Sequence, residues 1–313
     1  MARRARYEIR EVLVRHLLLL SFVAYGFPQF ATAETPTEKL FARDNLWAWC
    51  IVPFDSKNRG PEDRAVMLHK LGFKQFAYDW RAQHLPSFDD EIRFLKREGV
   101  NLSAVWFPAS LDENAKVLLA ALEKHKIHTQ LWVTMNGGAV ATTADEQAKK
   151  VEQHAAALRP IAEAAAKIGC TVGLYNHGAW FGEPENQLAI LAQLKLKNVG
   201  LVYNLHHGHD HLDRFPELLK KMQPHLYALN LNGMVKDGEK KGKKILVLGQ
   251  GDLDLNLLKT IAASGYTGPI GILGHTSDDA EQRLQDNLDG LDWLLPQLNG
   301  KPPTAKPKPR TGG

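Results

Sequence analysis

One segment of this 313-residue chain decides its fold. It is the run Val199-Gly200-Leu201-Val202-Tyr203-Asn204, followed at once by Leu205-His206-His207-Gly208-His209-Asp210-His211. The first part is an apolar run of strand length. The second part places four of the protein's 13 histidines within six residues. Imidazole titrates nearest to neutral pH and is the commonest neutral metal ligand, so histidines at a strand end indicate a functional site.

Two further apolar runs of strand length also end in histidine. Val172–Asn176 leads into His177, and Ile270–Gly274 leads into His275. Three strands with the same kind of ending predict one shared site at the carboxyl ends of a parallel sheet.

Strand-like and helix-like segments alternate from residue 45 onward. The predicted strands are Leu46–Val52, Lys74–Asp79, Leu102–Phe107, Thr129–Thr134, Cys170–Asn176, Val199–Asn204, Leu226–Leu231 and Pro269–Leu273. The predicted helices are Pro61–Leu71, Phe88–Glu98, Asp112–Lys124, Thr143–Ile168, Glu185–Leu194, Leu212–Met222, Asp254–Ala263 and Asp278–Leu295. Residues typical of helix starts are Asp112 and Asp278, and residues typical of helix ends are Gly72, Gly99 and Gly169.

Eight strand–helix units in about 250 residues predict an α/β fold, a single (β/α)8 TIM barrel. The alternative is a doubly wound open sheet. Such a sheet normally carries a glycine-rich phosphate-binding turn after its first strand, and Pro53-Phe54-Asp55-Ser56 is not one.

The two ends of the chain differ from the barrel in composition. Residues 1–33 predict a cleaved signal peptide, with five arginines, the apolar run Leu17–Ala24 and a small-residue site at Ala31-Thr32-Ala33. The alternative, an uncleaved anchor, would need roughly 20 apolar residues. We therefore expect a periplasmic or secreted protein with no stable membrane insertion. Residues 34–44 are expected to form a linker, 45–299 the barrel, and 300–313 a disordered tail rich in Lys and Pro.

The charge of the predicted mature domain argues against a nucleic-acid partner. Residues 34–300 contain 30 Lys and Arg but 33 Asp and Glu, so the sequence pI of 8.9 comes from the two ends. The two cysteines, Cys50 and Cys170, each lie in a predicted strand, which favours buried free thiols over a disulfide bridge.

The residues at the predicted strand ends suit a sugar ligand. Sugars stack their C–H faces on aromatic rings, while their hydroxyl groups take hydrogen bonds. The candidate substrate-binding residues are Trp49, Arg81, Trp106, Trp132, Tyr175, Asn204, Asn230 and Asn232. For each tryptophan the alternative is a place in the barrel core.

Several motifs together resemble the sugar phosphate isomerase/epimerase superfamily of xylose isomerase-like TIM barrels, which includes relatives of endonuclease IV. The resemblance covers residues 45–295. The motifs are Asn176-His177-Gly178, Asn198-Val199-Gly200-Leu201, Leu248-Gly249-Gln250-Gly251-Asp252-Leu253-Asp254 and Gly265-Tyr266-Thr267-Gly268-Pro269-Ile270. The resemblance implies a barrel fold and sugar chemistry.

The same resemblance implies a divalent metal held by Glu, Asp, His and Glu at four strand ends. At the aligned positions this sequence has Tyr175, Asn204, Asn230 and Leu273. None is the usual ligand, and Tyr and Leu cannot replace two carboxylates. A standard metal-assisted isomerase is therefore not expected.

A different metal site is a second hypothesis. Residues two apart in a strand point to the same side. Two positions beyond the aligned residues lie His177, His206, Asn232 and His275. His177, His206 and His275 could hold one divalent metal, Zn²⁺ or Mn²⁺. The alternative is that the imidazoles bind hydroxyl groups or exchange protons without a metal.

The expected protein is an exported carbohydrate-active isomerase, epimerase or lyase that transfers a proton beside a sugar carbonyl or hydroxyl. The candidate catalytic residues are His177, His207 and Asp79, the last as a carboxylate base. The alternative is a non-catalytic sugar-binding barrel with a degenerate metal site. In either case the partner is a small carbohydrate, and the sequence does not determine the oligomeric state.

Four residues and one long segment each allow two interpretations of their role. His209 and His211 belong to the loop or helix start that follows the site and could lie at the surface. Glu183 and Glu185 could reach the site, or could serve only the start of the next helix. Asn232–Leu248 is too polar for a regular element and predicts a mobile loop at the catalytic end, or an insertion without function.

Overall fold

The computed structural model describes residues 35–310, and these form a closed parallel barrel of eight strands. The strands are β1 (Leu46–Trp49), β2 (Gln75–Tyr78), β3 (Asn101–Phe107), β4 (Gln130–Val133), β5 (Thr171–Tyr175), β6 (Val199–Asn204), β7 (Leu226–Leu231) and β8 (Ile270–Leu273). Each strand pairs with the next, and β8 pairs with β1. The predicted TIM barrel is confirmed. The predicted signal peptide, residues 1–33, lies outside the described residues.

Helices surround the barrel and cover its outer face. They are α1 (Pro36–Leu40), α2 (Pro61–Lys70), α3 (Phe88–Arg97), α4 (Glu113–His125), α5 (Ala144–Lys167), α6 (Ala179–Gly182), α7 (Pro184–Leu194), α8 (Phe215–Met222), α9 (Asp254–Ala263) and α10 (Ala280–Leu298). Their apolar faces pack on the outward side chains of the strands and form the larger part of the core. Within residues 35–310, no helix combines the length and the apolar content that a membrane span requires.

Three large rings fill the inside of the barrel. Trp49 from β1 packs against Trp132 from β4 with ring centroids 4.0 Å apart, and Tyr175 from β5 lies 5.9 Å from Trp49. Small residues on the facing strands leave room for them. A side chain at Gly173 would overlap Trp132 and Val202. The barrel interior is therefore a closely packed core rather than a channel.

Most strand and helix ends differ from prediction by one to three residues, and two of these differences have a clear cause. β1 ends at Trp49, three residues early, because Cys50 adopts a left-handed backbone with φ of 54°. α10 begins at Ala280, two residues later than predicted, since Asp279 caps it by accepting from the Glu281 amide. The cap at Asp112 is as predicted. Cys50 and Cys170 are both buried free thiols.

The segments on either side of the barrel contact it. The expected linker forms α1, and its last turn buries Leu40 and Phe41 against the barrel. The expected disordered tail is extended along α10. Its Arg310 pairs with Asp286 and Asp289, at 2.7 and 2.6 Å. Burial of Leu40 and Phe41 holds the first segment, and ion pairs of Arg310 hold the second, although the composition of both resembles that of a linker.

A cavity of about 550 Å³ opens at the amino-terminal end of the barrel. Its lining residues include Trp47, Gln75, Asn101, Gln130 and Thr171, which lie at or near the starts of β1 to β5. The histidines singled out above lie at the opposite end.

Packing inside the barrel generates the first prediction. A methyl group at Gly271 would meet the buried Trp49 ring and come within 2.6 Å of Asn230 Oδ1. We expect Gly271→Ala to lower the free energy of unfolding by about 1–3 kcal/mol, as overpacking does in closely packed cores. Urea unfolding followed by tryptophan fluorescence measures it. Gly60→Ala is the control, since a methyl group there meets no atom within 4 Å. Equal stability of the two variants would contradict the described packing.

Candidate functional site

Four imidazole rings form a row at the carboxyl ends of β5, β6 and β8. The His177 and His207 ring centroids lie 4.5 Å apart, His207 and His206 lie 4.2 Å apart, and His206 and His275 lie 5.2 Å apart. His177 is exposed, His207 and His275 are half-buried, and His206 is buried. The structure thus brings together the histidines that the sequence places after three different strands. We call these four residues the imidazole row.

Two asparagines hold the row in place. The Asn204 amide N–H donates to Asn176 Oδ1 at 2.7 Å, and Asn176 Nδ2 donates to the Asn204 carbonyl oxygen at 3.1 Å. Asn204 Oδ1 then accepts from the His206 amide at 3.0 Å and caps the short 3₁₀ turn Leu205–His207. The ends of β5 and β6, and with them the two neighbouring imidazoles, are locked together by buried amide groups.

The positions of the family's metal ligands hold a neutral hydrogen-bonded chain. Asn230 Nδ2 donates to Asn204 Oδ1 at 2.8 Å, and Asn204 Nδ2 donates to the Tyr175 hydroxyl at 2.6 Å. The fourth position, Leu273, is apolar, and all four residues are buried. Burial raises the pKa of the Tyr175 hydroxyl well above its ordinary value, so the phenol stays neutral. These residues do not fit the divalent metal that the family implies.

The structure gives no support to the three-histidine metal site predicted for Zn²⁺ or Mn²⁺ at His177, His206 and His275. Across the described part of the chain, no three His, Cys, Asp or Glu side chains are grouped so that they could hold a metal ion. The reason is geometric. The imidazoles are arranged in a row, with His207 between His177 and His206, whereas a tetrahedral metal needs three ligands around one point.

The imidazole row is electrically neutral at its inner end. Burial, and then the charges of His275 and Lys244, lower the pKa of His206 to about 3. Burial and the neighbouring His206 lower the pKa of His207 to about 2. Burial also lowers the pKa of His275. Neutral imidazole has one N–H donor and one acceptor, so each of these rings can both donate and accept a hydrogen bond near pH 7.

Asp79 lies beside the site but is separate from the imidazole row. Its side chain is fully buried, and its Oδ1 accepts from the Val52 amide at 3.0 Å. Oδ2 has no hydrogen-bond partner among residues 35–310. Burial raises the pKa of Asp79 to about 7. The structure therefore places the predicted base at a strand end, but without access to solvent.

Most of the predicted aromatic wall is barrel core. Trp49 and Trp132 are 0 % and 1 % exposed, so the core alternative holds for both and they present no surface to a ligand. They can be buried because the residues opposite them, such as Gly173 and Gly271, are small enough to leave space for the rings inside the barrel. Trp106 is half-buried, and its ring lies 4.8 Å from that of Tyr175.

The remaining predicted substrate-binding residues divide in two. Tyr175, Asn204, Asn230 and Asn232 are buried beneath the imidazole row. The Asn232 amide nitrogen donates to the Gly233 carbonyl at 3.0 Å, while its Oδ1 has no partner within the described part of the chain. Only Arg81 is exposed.

His211 has a structural role that its sequence does not reveal. It is 4 % exposed, and its Nδ1 shares a hydrogen bond of 2.9 Å with the Tyr203 hydroxyl. Its Nε2 lies 3.1 Å from Glu183, which also accepts from Arg214 at 2.6 Å. The His211 and Arg214 bonds lower the pKa of Glu183 to about 2. This network joins the loops after β5 and β6. Alternation along β6 would place Tyr203 toward the helices but gives no indication of its partners.

The β7–α9 loop, residues 232–253, is tied down by Asp254. Asp254 Oδ1 accepts from the Met234 amide at 2.7 Å, and Oδ2 accepts from Gly249 and Gly251 at 2.7 and 3.0 Å. Gly233 and Leu246 form an antiparallel bridge within the loop. The loop contacts the segment that follows the imidazole row, because the Lys244 carbonyl shares a hydrogen bond of 2.9 Å with His209 Nε2. In the sequence, the motif Leu248–Asp254, with Gly249 and Gly251 ahead of Asp254, marks the place where Asp254 fixes the loop.

The chain belongs to the xylose isomerase-like TIM barrel family, whose model matches residues 67–296. Among solved structures it is similar to a 3-keto-D-glucoside 4-epimerase from E. coli (16% identity, 80% of this chain and 98% of the other, TM-score 0.60). It is also similar to a D-psicose 3-epimerase (15%, 79% and 96%, TM-score 0.56). A third is a probable 3-DHS dehydratase from Bacillus anthracis (12%, 79% and 98%, TM-score 0.61). No curated protein matches the sequence. At these identities the structural similarities show the fold.

The neutral imidazoles predict how stability depends on pH. The folded state holds His206 and His207 with a lowered pKa, while the unfolded chain binds protons below about pH 6.5. Stability should therefore fall as the pH drops from about 6.5 toward 3. Urea midpoints measured across this range test it. We expect His206→Gln to flatten the profile and His225→Gln, at an exposed site, to leave it unchanged. An unchanged slope in His206→Gln would be evidence against a buried neutral ring.

The contact between Tyr203 and Gly208 predicts a coupling energy. A methyl group at Gly208 would overlap the Tyr203 hydroxyl, whereas Tyr203→Phe removes that oxygen and its bond to His211. We expect each single variant to lose about 1–3 kcal/mol of unfolding free energy. The double variant should lose less than the sum of the two, because the steric conflict is relieved. Additive losses in urea unfolding would show that the two groups do not touch.

Proposed function

We propose that this chain is an exported enzyme that isomerises, epimerises or dehydrates a sugar by proton transfer beside a carbonyl. The observation that carries the proposal is the imidazole row at the carboxyl ends of β5, β6 and β8, where barrel enzymes hold their reacting groups. Two of the structurally similar proteins are sugar epimerases, and one is a probable dehydratase. Export is proposed from residues 1–33 alone.

The rings of the row divide into two roles. His177 is exposed and stands at the outer end, where a substrate C–H group can reach it. Imidazole is the side chain best suited to exchange a proton at neutral pH, so His177 is the proposed base. His207, 4.5 Å away between ring centroids, is neutral, and its N–H can donate to the carbonyl oxygen on which negative charge develops.

The buried residues beneath the row, Tyr175 and Asn204, form an uncharged floor that supports these two roles of His177 and His207. Tyr175 contacts the edge of His207, at 5.6 Å between ring centroids, and lies 6.4 Å from His177. Its hydroxyl accepts from Asn204, which also caps the turn carrying His207. A rigid, neutral floor keeps both imidazoles at a fixed spacing, as positioning of catalytic groups requires. Asp79 is buried to one side, where its Oδ1 accepts from the Val52 amide, and it is given no catalytic role.

A sugar-binding barrel without catalysis is the second candidate. The lowered pKa of His206 and His207 favours it, because a ring that stays neutral is a good hydrogen-bond partner and a poor proton acceptor. The replacement of the family's carboxylates by Tyr175, Asn204 and Leu273 points the same way. The two candidates differ in whether a carbon-bound proton exchanges with solvent.

Solvent exchange provides the test. The protein is incubated with ketoses and aldoses in D₂O, and deuterium incorporation at carbon is followed by NMR. We expect incorporation with a suitable sugar, and a loss on the order of 10²–10⁴ in rate in His177→Gln, which cannot exchange the proton. His225→Gln is the control. Sugar binding with no incorporation, and unchanged affinity in His177→Gln, would exclude the enzyme and favour the binding barrel.

A further inference from the structure

Arg81 is a free cation beside the imidazole row. Its Nη1 donates to the carbonyl oxygens of Asp79 and Trp80, at 2.9 and 2.8 Å. No carboxylate in residues 35–310 forms an ion pair with it. The side chain is exposed, and its Nε and Nη2 are not used by any hydrogen bond in this part of the chain. Two adjacent donors of a guanidinium are therefore available.

Arg81 is joined to the row through one aromatic ring. Its guanidinium carbon lies 5.6 Å from the centre of the Phe54 ring. Phe54 in turn contacts His275, with centroids 3.8 Å apart, and His275 lies 5.2 Å from His206. The charge of Arg81 reaches the row, since it contributes to the lowered pKa of His275. The free donors therefore lie on the His275 side of the row, and His177 also contributes to the lowered pKa of His275.

The nearby carboxyl group does not cancel this charge. Asp79 follows β2 two residues before Arg81, but its Oδ1 is engaged by the Val52 amide. Burial raises the pKa of Asp79 to about 7, so near neutral pH this carboxyl carries only part of a charge. Arg81 itself contacts the backbone carbonyl of Asp79 rather than its carboxylate.

A second source of positive charge faces the same end. The segment Lys236–Lys244 of the β7–α9 loop holds five lysines and two acids. Its Lys244 also contributes to the lowered pKa of His275, although its Nζ pairs with Glu239 at 2.6 Å. Arg81, which follows β2, and Lys244 of the β7–α9 loop thus both act on His275. The imidazoles between them are neutral, so this end of the site attracts anions.

We propose that the substrate is an acidic sugar, whose anionic group is bound by Nε and Nη2 of Arg81 while its carbonyl end lies on the imidazole row. This inference rests on the proposed function for the placement of the carbonyl end. A planar guanidinium with two free parallel donors matches the two oxygens of a carboxylate, and a sulfate or phosphate offers the same pair. A hexuronate is the simplest sugar of this class.

The experiment compares each acidic sugar with its neutral counterpart. Affinities of glucuronate and glucose, and of galacturonate and galactose, are measured by calorimetry or ligand-observed NMR. Glucose 6-sulfate and glucose 6-phosphate distinguish the kinds of anion. We expect the acid to bind about tenfold tighter or more, because a hydrogen bond to a charged group is stronger than one to a neutral hydroxyl. The preference should weaken at high ionic strength.

Two variants locate the preference, and a third is the control. Arg81→Gln should bring the ratio of acidic to neutral affinity close to one. Arg81→Lys, which keeps the charge but loses the fork, should leave a reduced ratio. Arg93→Gln is matched, since Arg93 also stacks on a phenylalanine, at 4.9 Å from Phe94, but lies on α3 away from the row. Its ratio should equal that of the wild type.

The outcomes separate this inference from the proposed function. Equal binding of acidic and neutral sugars by the wild type, or a preference that survives Arg81→Gln, overturns the inference. Deuterium incorporation into a neutral sugar would then leave the proposed function standing. A preference for the acid that is lost in Arg81→Gln, with no incorporation into any sugar, supports the anion site and overturns the enzyme.

Discussion

The packing of Trp49, Trp132 and Tyr175 inside the barrel is the constraint on which the rest of the site depends. The three rings occupy the space at the level of the strand ends, and small residues such as Gly173 and Gly271 are required opposite them. A ligand cannot enter at this level. Any chemistry must therefore occur one layer higher, on side chains that follow the strands. The imidazole row lies in this layer.

The same packing explains why the floor of the site is uncharged. A carboxylate pressed against buried tryptophans would need a metal or a cation to offset the cost of its desolvation. The chain Asn230–Asn204–Tyr175 is instead joined by neutral hydrogen bonds, although Asn230 Oδ1 has no partner among residues 35–310. These neutral amide and phenol groups do not replace the carboxylates that hold a divalent metal, but their hydrogen bonds can keep the turn Leu205–His207 rigid. Asn204 and Asn230 occupy positions of the family's metal ligands, and Asn204 instead fixes the turn that carries His206 and His207.

The sequence predicted the barrel and the convergence of the histidines because both follow from simple regularities. Strand-length apolar runs, each ending in histidine, must bring their ends to one edge of a parallel barrel. The alternation of side chains along a strand cannot reveal how deeply an inward-facing side chain is buried. It places Trp49 and Trp132 inward, yet only the volumes of the residues opposite them decide whether the rings fill the core or line a cavity. The same limit applies to His211, whose partners Tyr203 and Glu183 come from other elements.

Local composition does not show how the tail and the β7–α9 loop are placed, because contacts with residues distant in the sequence determine their structure. The tail after residue 300 is rich in Lys and Pro, but Arg310 finds Asp286 and Asp289 on α10. The lysine-rich loop after β7 looks unstructured, yet Asp254 holds both of its ends through three backbone amides. Fixing this loop holds the backbone at Lys244 close to the row. The positive charge at the mouth is then part of the fold, and an anionic group that enters there meets an environment already arranged to receive it.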